Sequence, residues 1–271
     1  LRWSFDPMRA PAVAGQFYPG SPDELRRQLD GMFSGVSKEE LPVLGAVVPH
    51  AGYVYSGAVA AEVYARLPER QTYVILGPNH HDMGAPVALS RDSWRTPLGS
   101  VPVDLELADA LAGTIIDQDE LAHRHEHSIE VQIPFLQSRF SDFMILPIAM
   151  GLQDEETAVE VGSALAKTIS EIKRDVTVIA SSDFTHYEPQ EIARKVDSSL
   201  IEAILNMDIP ELYGRVYRYN ATACGYGPIA ATITAARAMG ATSGKLLRYA
   251  TSGDVIGDYS QVVGYGAIVF T

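Results

Sequence analysis

Residues 44–50 read LGAVVPH, residues 72–81 read TYVILGPNHH, and residues 176–186 read VTVIASSDFTH. Each is a short β-branched run followed within a few residues by a histidine. Runs that are apolar at every position, and not at alternate ones, predict strands buried on both faces, as in parallel sheets. FMILPIAM (143–150) is a fourth such run, and LLRYATS (246–252) and VVGYGAIVF (262–270) are expected to close the sheet. Helical patterns lie between them. An Ala-rich segment occupies 57–67. Asp154 is placed to cap a helix in which Ala158, Val161, Leu165, Ile169 and Ile172 recur at spacings of three and four. Pro189 opens another, faced by Ile192, Val196, Leu200, Ala203 and Met207. A third follows Cys224, with Ile229, Ile233 and Ala236 on one face and Gly240 as its stop. The expected architecture is therefore α/β. A single domain spans 1–271, with a mostly parallel central sheet covered by helices on both faces. Residues 84–128 are the least regular stretch and are expected to cover one edge of the sheet.

Composition bounds what such a chain does. Of 271 residues, 46% are apolar and 20% charged, the balance of a globular protein able to build its core without disulfides. Its single cysteine, Cys224, rules out an intramolecular disulfide and favours a reducing, cytoplasmic setting. The net charge is -13, and no Lys/Arg cluster is longer than two residues. That speaks against nucleic acid and anionic membrane surfaces as partners. No apolar run reaches the roughly 20 residues a membrane helix needs. The start, LRWSFDPMRAP, lacks the apolar core of a signal peptide. Met8 is read as the natural first residue, with residues 1–7 a disordered extension.

Familiar cofactor motifs are absent. No G-x-G-x-x-G follows a strand, and no H-E-x-x-H or G-x-S-x-G occurs. GATSGKL (240–246) is one residue short of a phosphate-binding loop, and Leu246 stands where a hydroxyl should meet Mg²⁺. The histidines carry more. His50, the pair His80 and His81, and His186 each follow a different strand. Ligands of open α/β sheets bind outside the carboxyl ends of the strands. Any one of these histidines alone reads as a surface or capping residue; three strands delivering imidazoles to one edge read as a site. Cys224 precedes a predicted helix, whose N-terminal N–H groups favour thiolate. A thiolate beside two imidazoles suits a soft or borderline metal, whereas a free cysteine is otherwise a small buried apolar residue. HRHEHSIE (123–130) places His123, His125 and His127 on one face if extended, and is otherwise a polar loop with Glu126 and Glu130 in supporting roles. It leads into a helix striped by Ile129, Ile133, Leu136 and Phe140, kinked at Pro134. Asp183, three residues before His186, is placed to orient that imidazole as a proton donor or acceptor. Tyr53 and Tyr55 read equally as cleft walls or as core and turn residues.

Read together, PHAGYVYSG (49–57), ILGPNHH (75–81), WRTPLG (94–99), EHSIEVQIPFLQ (126–137), SSDFTHY (181–187) and CGYGPI (224–229) resemble, in this order, the Memo-like proteins. AVAGQFYPG (12–20) fits as well, and the resemblance covers Met8 to Thr271. That family is similar in fold to the class III extradiol dioxygenases of the protocatechuate 4,5-dioxygenase type, which hold non-haem Fe(II) with two histidines and a carboxylate. The resemblance implies that His50 and His80 take the imidazole positions and that Cys224 stands where the dioxygenases have their carboxylate. It implies that His186, with Asp183 beside it, matches the acid/base histidine, and that His127 lines the substrate pocket. Thiolate in place of carboxylate favours softer metals such as Cu(I) and is itself oxidisable. The implied function is a metal-binding protein, and a metal-dependent oxidoreductase using Fe(II) or Cu. The alternatives are a non-enzymatic metal- or peptide-binding module that keeps the cleft and, with Zn²⁺ on the same ligands, a hydrolase. The expected occupant of the cleft is a small molecule or a peptide. Microbial Memo-like proteins often accompany a radical-SAM protein, which implies a partner in a shared pathway.

Overall fold

The computed structural model describes residues 7–271, so most of the extension expected over residues 1–7 lies outside the described residues. The predicted strands are β1 (Gly45–Val48), β2 (Thr72–Pro78), β4 (Met144–Met150), β5 (Val176–Ser181), β7 (Gly244–Thr251) and β8 (Val262–Phe270). Two short strands, β3 (Val87–Leu89) and β6 (His186–Glu188), join them. Every residue of β1, β2 and β5 is buried, which is why these runs are continuously apolar. The sheet order is β6-β8-β1-β5-β2-β4-β3, extended at the last edge by Asp117–Gln118, with β7 also paired to β8. The four central strands β1, β5, β2 and β4 are parallel. The flanks are antiparallel, with β8 against β1, β7 and β6, and β3 against β4. The sheet is thus mixed, parallel at its centre, and the described residues form no closed barrel.

Helices cover both faces. On one face α7 (Tyr226–Ala238) lies against the central strands, and α4 (Glu155–Ile172) packs on α7. Gly162 of α4 permits this approach, because a Cβ there would run into Ala231 O and Thr234 Cβ of α7. On the other face α2 (Tyr53–Tyr64) packs on β1 and β8, backed by α1 (Pro22–Phe33) and α3 (Ile133–Arg139). Asp154 caps α4 as expected, accepting the Thr157 N–H at 3.0 Å. Helix α5 (Gln190–Leu205) and helix α6 (Ile209–Tyr219) complete the fold.

Three expectations need correction. Of the face expected for α5, Leu200, Ala203 and Met207 are buried and Val196 is partly so, but Ile192 is 48% exposed; Ala193, Asp197, Ile201 and Ile204 complete the buried face. At the N-terminal end of the helix the inward position belongs to Asp197, which accepts from Thr185 N–H, Thr185 Oγ1 and Tyr249 OH. Pro134 does not kink a helix. The chain before it is a 3₁₀ turn (Glu130–Gln132), and Pro134 sits in the first turn of α3, where its missing N–H costs nothing. The irregular span does more than cover an edge. Its strands Ser93–Thr96 and Gly99–Val101 form a separate three-stranded sheet with Met8–Arg9.

That small sheet anchors Arg9. Its guanidinium lies 4.0 Å over the Trp94 ring, 2.7 Å from Glu130, and donates to the carbonyls of His123 and Glu126. Glu130 also accepts Ala12 N–H, Val13 N–H and Tyr18 OH. Both members of this ion pair are buried, so removing one strands the other's charge. Glu130→Ala should therefore destabilise the protein by about 3–5 kcal/mol in urea unfolding. A loss under about 1 kcal/mol would mean the pair contributes no more than a surface contact.

Candidate metal centre

Strands β1, β5 and β2 are adjacent and parallel, so their carboxyl ends open on one edge. His50 follows β1 and is buried, His80 follows β2, and Ser181 ends β5, with Ser182 and Asp183 directly after it. The His50 and His80 ring centroids are 5.3 Å apart. Cys224, directly before α7, puts Sγ 3.2 Å from His50 Nε2. One donor atom from each of His50, His80 and Cys224 lies within 4.8 Å of the others. His127 joins the group, stacked on His80 at 4.8 Å and 5.4 Å from His50. His186 and Asp183 line the same cavity.

Hydrogen bonds set the tautomers. The single proton of the Ser181 hydroxyl goes to Ser128 O at 2.6 Å. The oxygen accepts Gln132 Nε2 at 2.8 Å, and Gln132 is itself held by Tyr64 OH and Pro49 O. His50 Nδ1, 3.0 Å from Ser181 Oγ, therefore carries a proton and donates it there, leaving the Nε2 lone pair toward Cys224. His80 Nδ1 is 3.0 Å from the Glu126 carboxylate and donates to it, which frees its Nε2 likewise. A carboxylate behind an imidazole in this way orients the ring and makes it a better ligand. Glu126 is fully buried and also accepts the N–H groups of His80, His127 and Ser128.

The electrostatics follow. Burial drives His50 well below the ordinary imidazole range, aided by the neighbouring His127 and His80. Burial likewise takes His127 down to about 4. At His80 burial also pulls downward, but the Glu126 hydrogen bond and charge outweigh it and the net shift is upward. Burial pushes Asp183 up to about 6 although it accepts the His50 N–H at 2.8 Å. Burial and the Asp183 charge push the Cys224 thiol up. This corrects the expectation of a thiolate favoured by the helix terminus: without a metal the thiol keeps its proton.

Several other placements differ from expectation. His123, His125 and His127 do not share a face. His123 is buried in a 3₁₀ turn with Nε2 on Ala88 O at 3.0 Å, and only His127 reaches the cleft. Asp183 does not orient His186, whose Nδ1 is 2.9 Å from Thr222 O and whose backbone N–H donates to Thr222 Oγ1. Asp183 instead holds the His50 backbone. The two tyrosines divide: Tyr53 is core, bonded to Val131 O, and Tyr55 lines the cleft. Ser181, Gln132 and Thr222 orient site histidines without a sequence signal of their own. Glu126 had only its place in the His-rich run.

The donor set and its geometry fit a transition metal. Two neutral imidazoles and a thiol whose proton a cation displaces are the ligands of borderline and soft ions. Fold and site together define an α/β protein with a His/His/Cys cluster at the carboxyl edge of its parallel strands. The sequence model described as Memo-like protein matches residues 9–269. A MEMO1 family protein of Methanosarcina barkeri is 58% identical over 97% of this chain and 99% of its own length. One from Methanosarcina mazei is 60% identical over 97% and 98%. The chain belongs to the Memo-like family. An uncharacterised Escherichia coli K12 protein of known structure superposes with a TM-score of 0.55 at 14% identity. That match covers 83% of this chain and 98% of the other, a likeness of fold. No helix among the described residues is long and apolar enough to cross a membrane.

Removing one ligand should show in metal titrations. His50→Ala, His80→Ala and Cys224→Ser should each weaken anaerobic Fe(II) or Cu(I) binding by at least about tenfold, while exposed His81→Ala leaves it unchanged. Because the thiol is raised, binding must expel its proton, so affinity should rise with pH between about 6 and 8. The rise should be shallower in Cys224→Ser. Equal losses at His80 and His81 would overturn the assignment.

Proposed function

We propose that this protein is a metal-dependent oxidoreductase that binds Fe(II) or Cu through His50, His80 and Cys224. The observation that supports it best is the convergence of three ligating atoms beside an imidazole that is not one of them. A redox-active ion held there supplies electron exchange with dioxygen or with an organic ligand. The protein's part is positional. His50 Nε2 and His80 Nε2 are presented as lone pairs by Ser181 and Glu126. His186 donates from Nδ1 to the Thr222 carbonyl, so its Nε2 is the atom that takes or returns a proton on the cleft side. His127, stacked on His80 and tilted against Phe17, forms a wall of the pocket. Asp183 secures the His50 backbone and keeps its other carboxylate oxygen 4.0 Å from His50 Nε2.

The positioned proton carrier favours this reading over a binding module, which has no use for one. His186→Ala should keep the metal and lose at least about a hundredfold in turnover, the lower end of general acid–base effects. Oxygen uptake by the metal-loaded protein, with metal content checked in the same samples, decides it. Unchanged turnover in His186→Ala would remove that residue from the chemistry. A metal-loaded wild type with no turnover on any ring substrate or peptide would point to the binding module.

A further inference from the structure

The turn after β4 does not reach the cleft, and no residue of 150–154 lines the cavity. It meets the cysteine from behind instead. Gln153, directly before the Asp154 cap of α4, lays its side-chain amide across the start of α7. Its Nε2 donates to Cys224 O at 2.9 Å, and its Oε1 accepts Gly227 N–H at 2.9 Å. Its backbone carbonyl accepts Tyr213 OH from α6 at 2.7 Å, so the residue is held at its root as well. Gly227 makes room, because a Cβ there would lie 2.8 Å from Gln153 Cβ.

The needs of a helix end explain half of this. The first N–H groups of a helix lack partners within it, and the N-cap of α7 is Gly225, which has no side chain to offer. Gln153 Oε1 fills that need. A cap has no use for the other half, the N–H donated to the carbonyl of Cys224. That bond completes the hold on the Cys224–Gly225 peptide, whose N–H donates to Ser182 Oγ at 2.9 Å. The preceding peptide is held through Cys224 N–H on Asp183 O at 3.3 Å. With both flanking peptides fixed, χ1 is the freedom left to the sulfur, which stands 3.2 Å from His50 Nε2.

We infer that Gln153 is a positioning residue that aims Cys224 Sγ at the metal position from the far side of the loop carrying the thiol. Loss of its amide frees the Cys224 carbonyl and leaves the sulfur in the chain, so the thiol no longer arrives at a fixed place. Partners that orient a ligand in this way are worth about tenfold or more in metal affinity. The inference rests on the functional reading above, in which Cys224 is a ligand, and adds a residue outside the ligand set.

The experiment is an anaerobic titration of the full chain with Co(II), whose thiolate charge-transfer band in the near ultraviolet reports a bound sulfur directly. Gln153→Met keeps the length of the side chain and loses both bonds. Gln153→Glu keeps the acceptor for Gly227 N–H, so α7 keeps its cap, and at about pH 8 it is ionised and lacks the donor to Cys224. Both variants should bind Co(II) about tenfold more weakly than wild type, with the band per bound cobalt falling toward that of Cys224→Ser. Gln153→Glu decides the matter if Gln153→Met fails to fold. A merely structural role gives a different pattern, a lower melting temperature with the band per cobalt unchanged. That pattern would overturn the positioning role and leave Cys224 a ligand. A wild type that binds Co(II) without the band would remove Cys224 from the ligand set and overturn the metal reading along with the positioning role.

Discussion

The carboxylate of Glu126 is the contact on which the site depends. It is fully buried, yet four donors meet it: His80 N–H at 2.6 Å, His80 Nδ1 at 3.0 Å, and the N–H groups of His127 and Ser128 at 2.8 Å. A charge can be buried only when paired and hydrogen-bonded in this way. The convergence explains why, despite burial, its carboxyl is held well below the usual range with the help of His80 and His127. His80 and Glu126 are 46 residues apart, so one side chain ties the turn after β2 to the loop before α3.

The second histidine is oriented through the same loop. Ser128 packs against Gly77, where a Cβ would run into its hydroxyl, and its carbonyl receives the Ser181 proton. That proton's direction makes Ser181 an acceptor for His50. The tautomers of both imidazoles are therefore coupled through residues 126–128. Arg9 and Glu130 brace that loop from outside the main sheet. The N-terminal segment thus supports the candidate metal site without touching it.

Much of this was legible in the sequence, for local reasons. The runs at 44–48, 72–76 and 176–181 are apolar throughout because both faces of the sheet are covered, and His50, His80 and His186 follow them in the chain. Family motifs pointed to Cys224, and the geometry puts its sulfur beside His50. Long-range polar pairing was not legible. Nothing local distinguishes Ser181 or Gln132 from any other polar residue. Asp197 looks like a solvent-facing position on a helix whose other side carries Ile192, yet its acceptors are claimed by Thr185 and Tyr249 and it turns inward. The alternation of HRHEHSIE suggested an extended face, but a 3₁₀ turn at Glu120–His123 sends His123 into the interior and His127 to the cleft.

The central claim is that His50, His80 and Cys224 together hold one metal ion. X-ray absorption spectroscopy of anaerobically loaded protein tests it most directly, because sulfur and nitrogen neighbours scatter differently. The account predicts one sulfur at about 2.3 Å and imidazole nitrogens at about 2.0–2.1 Å, as for thiolate and histidine ligands of Zn²⁺ and similar ions. A first shell of nitrogen and oxygen alone, with no sulfur, would contradict it and shift the metal to His80, Glu126 and His127, the other donor group within reach of a single ion.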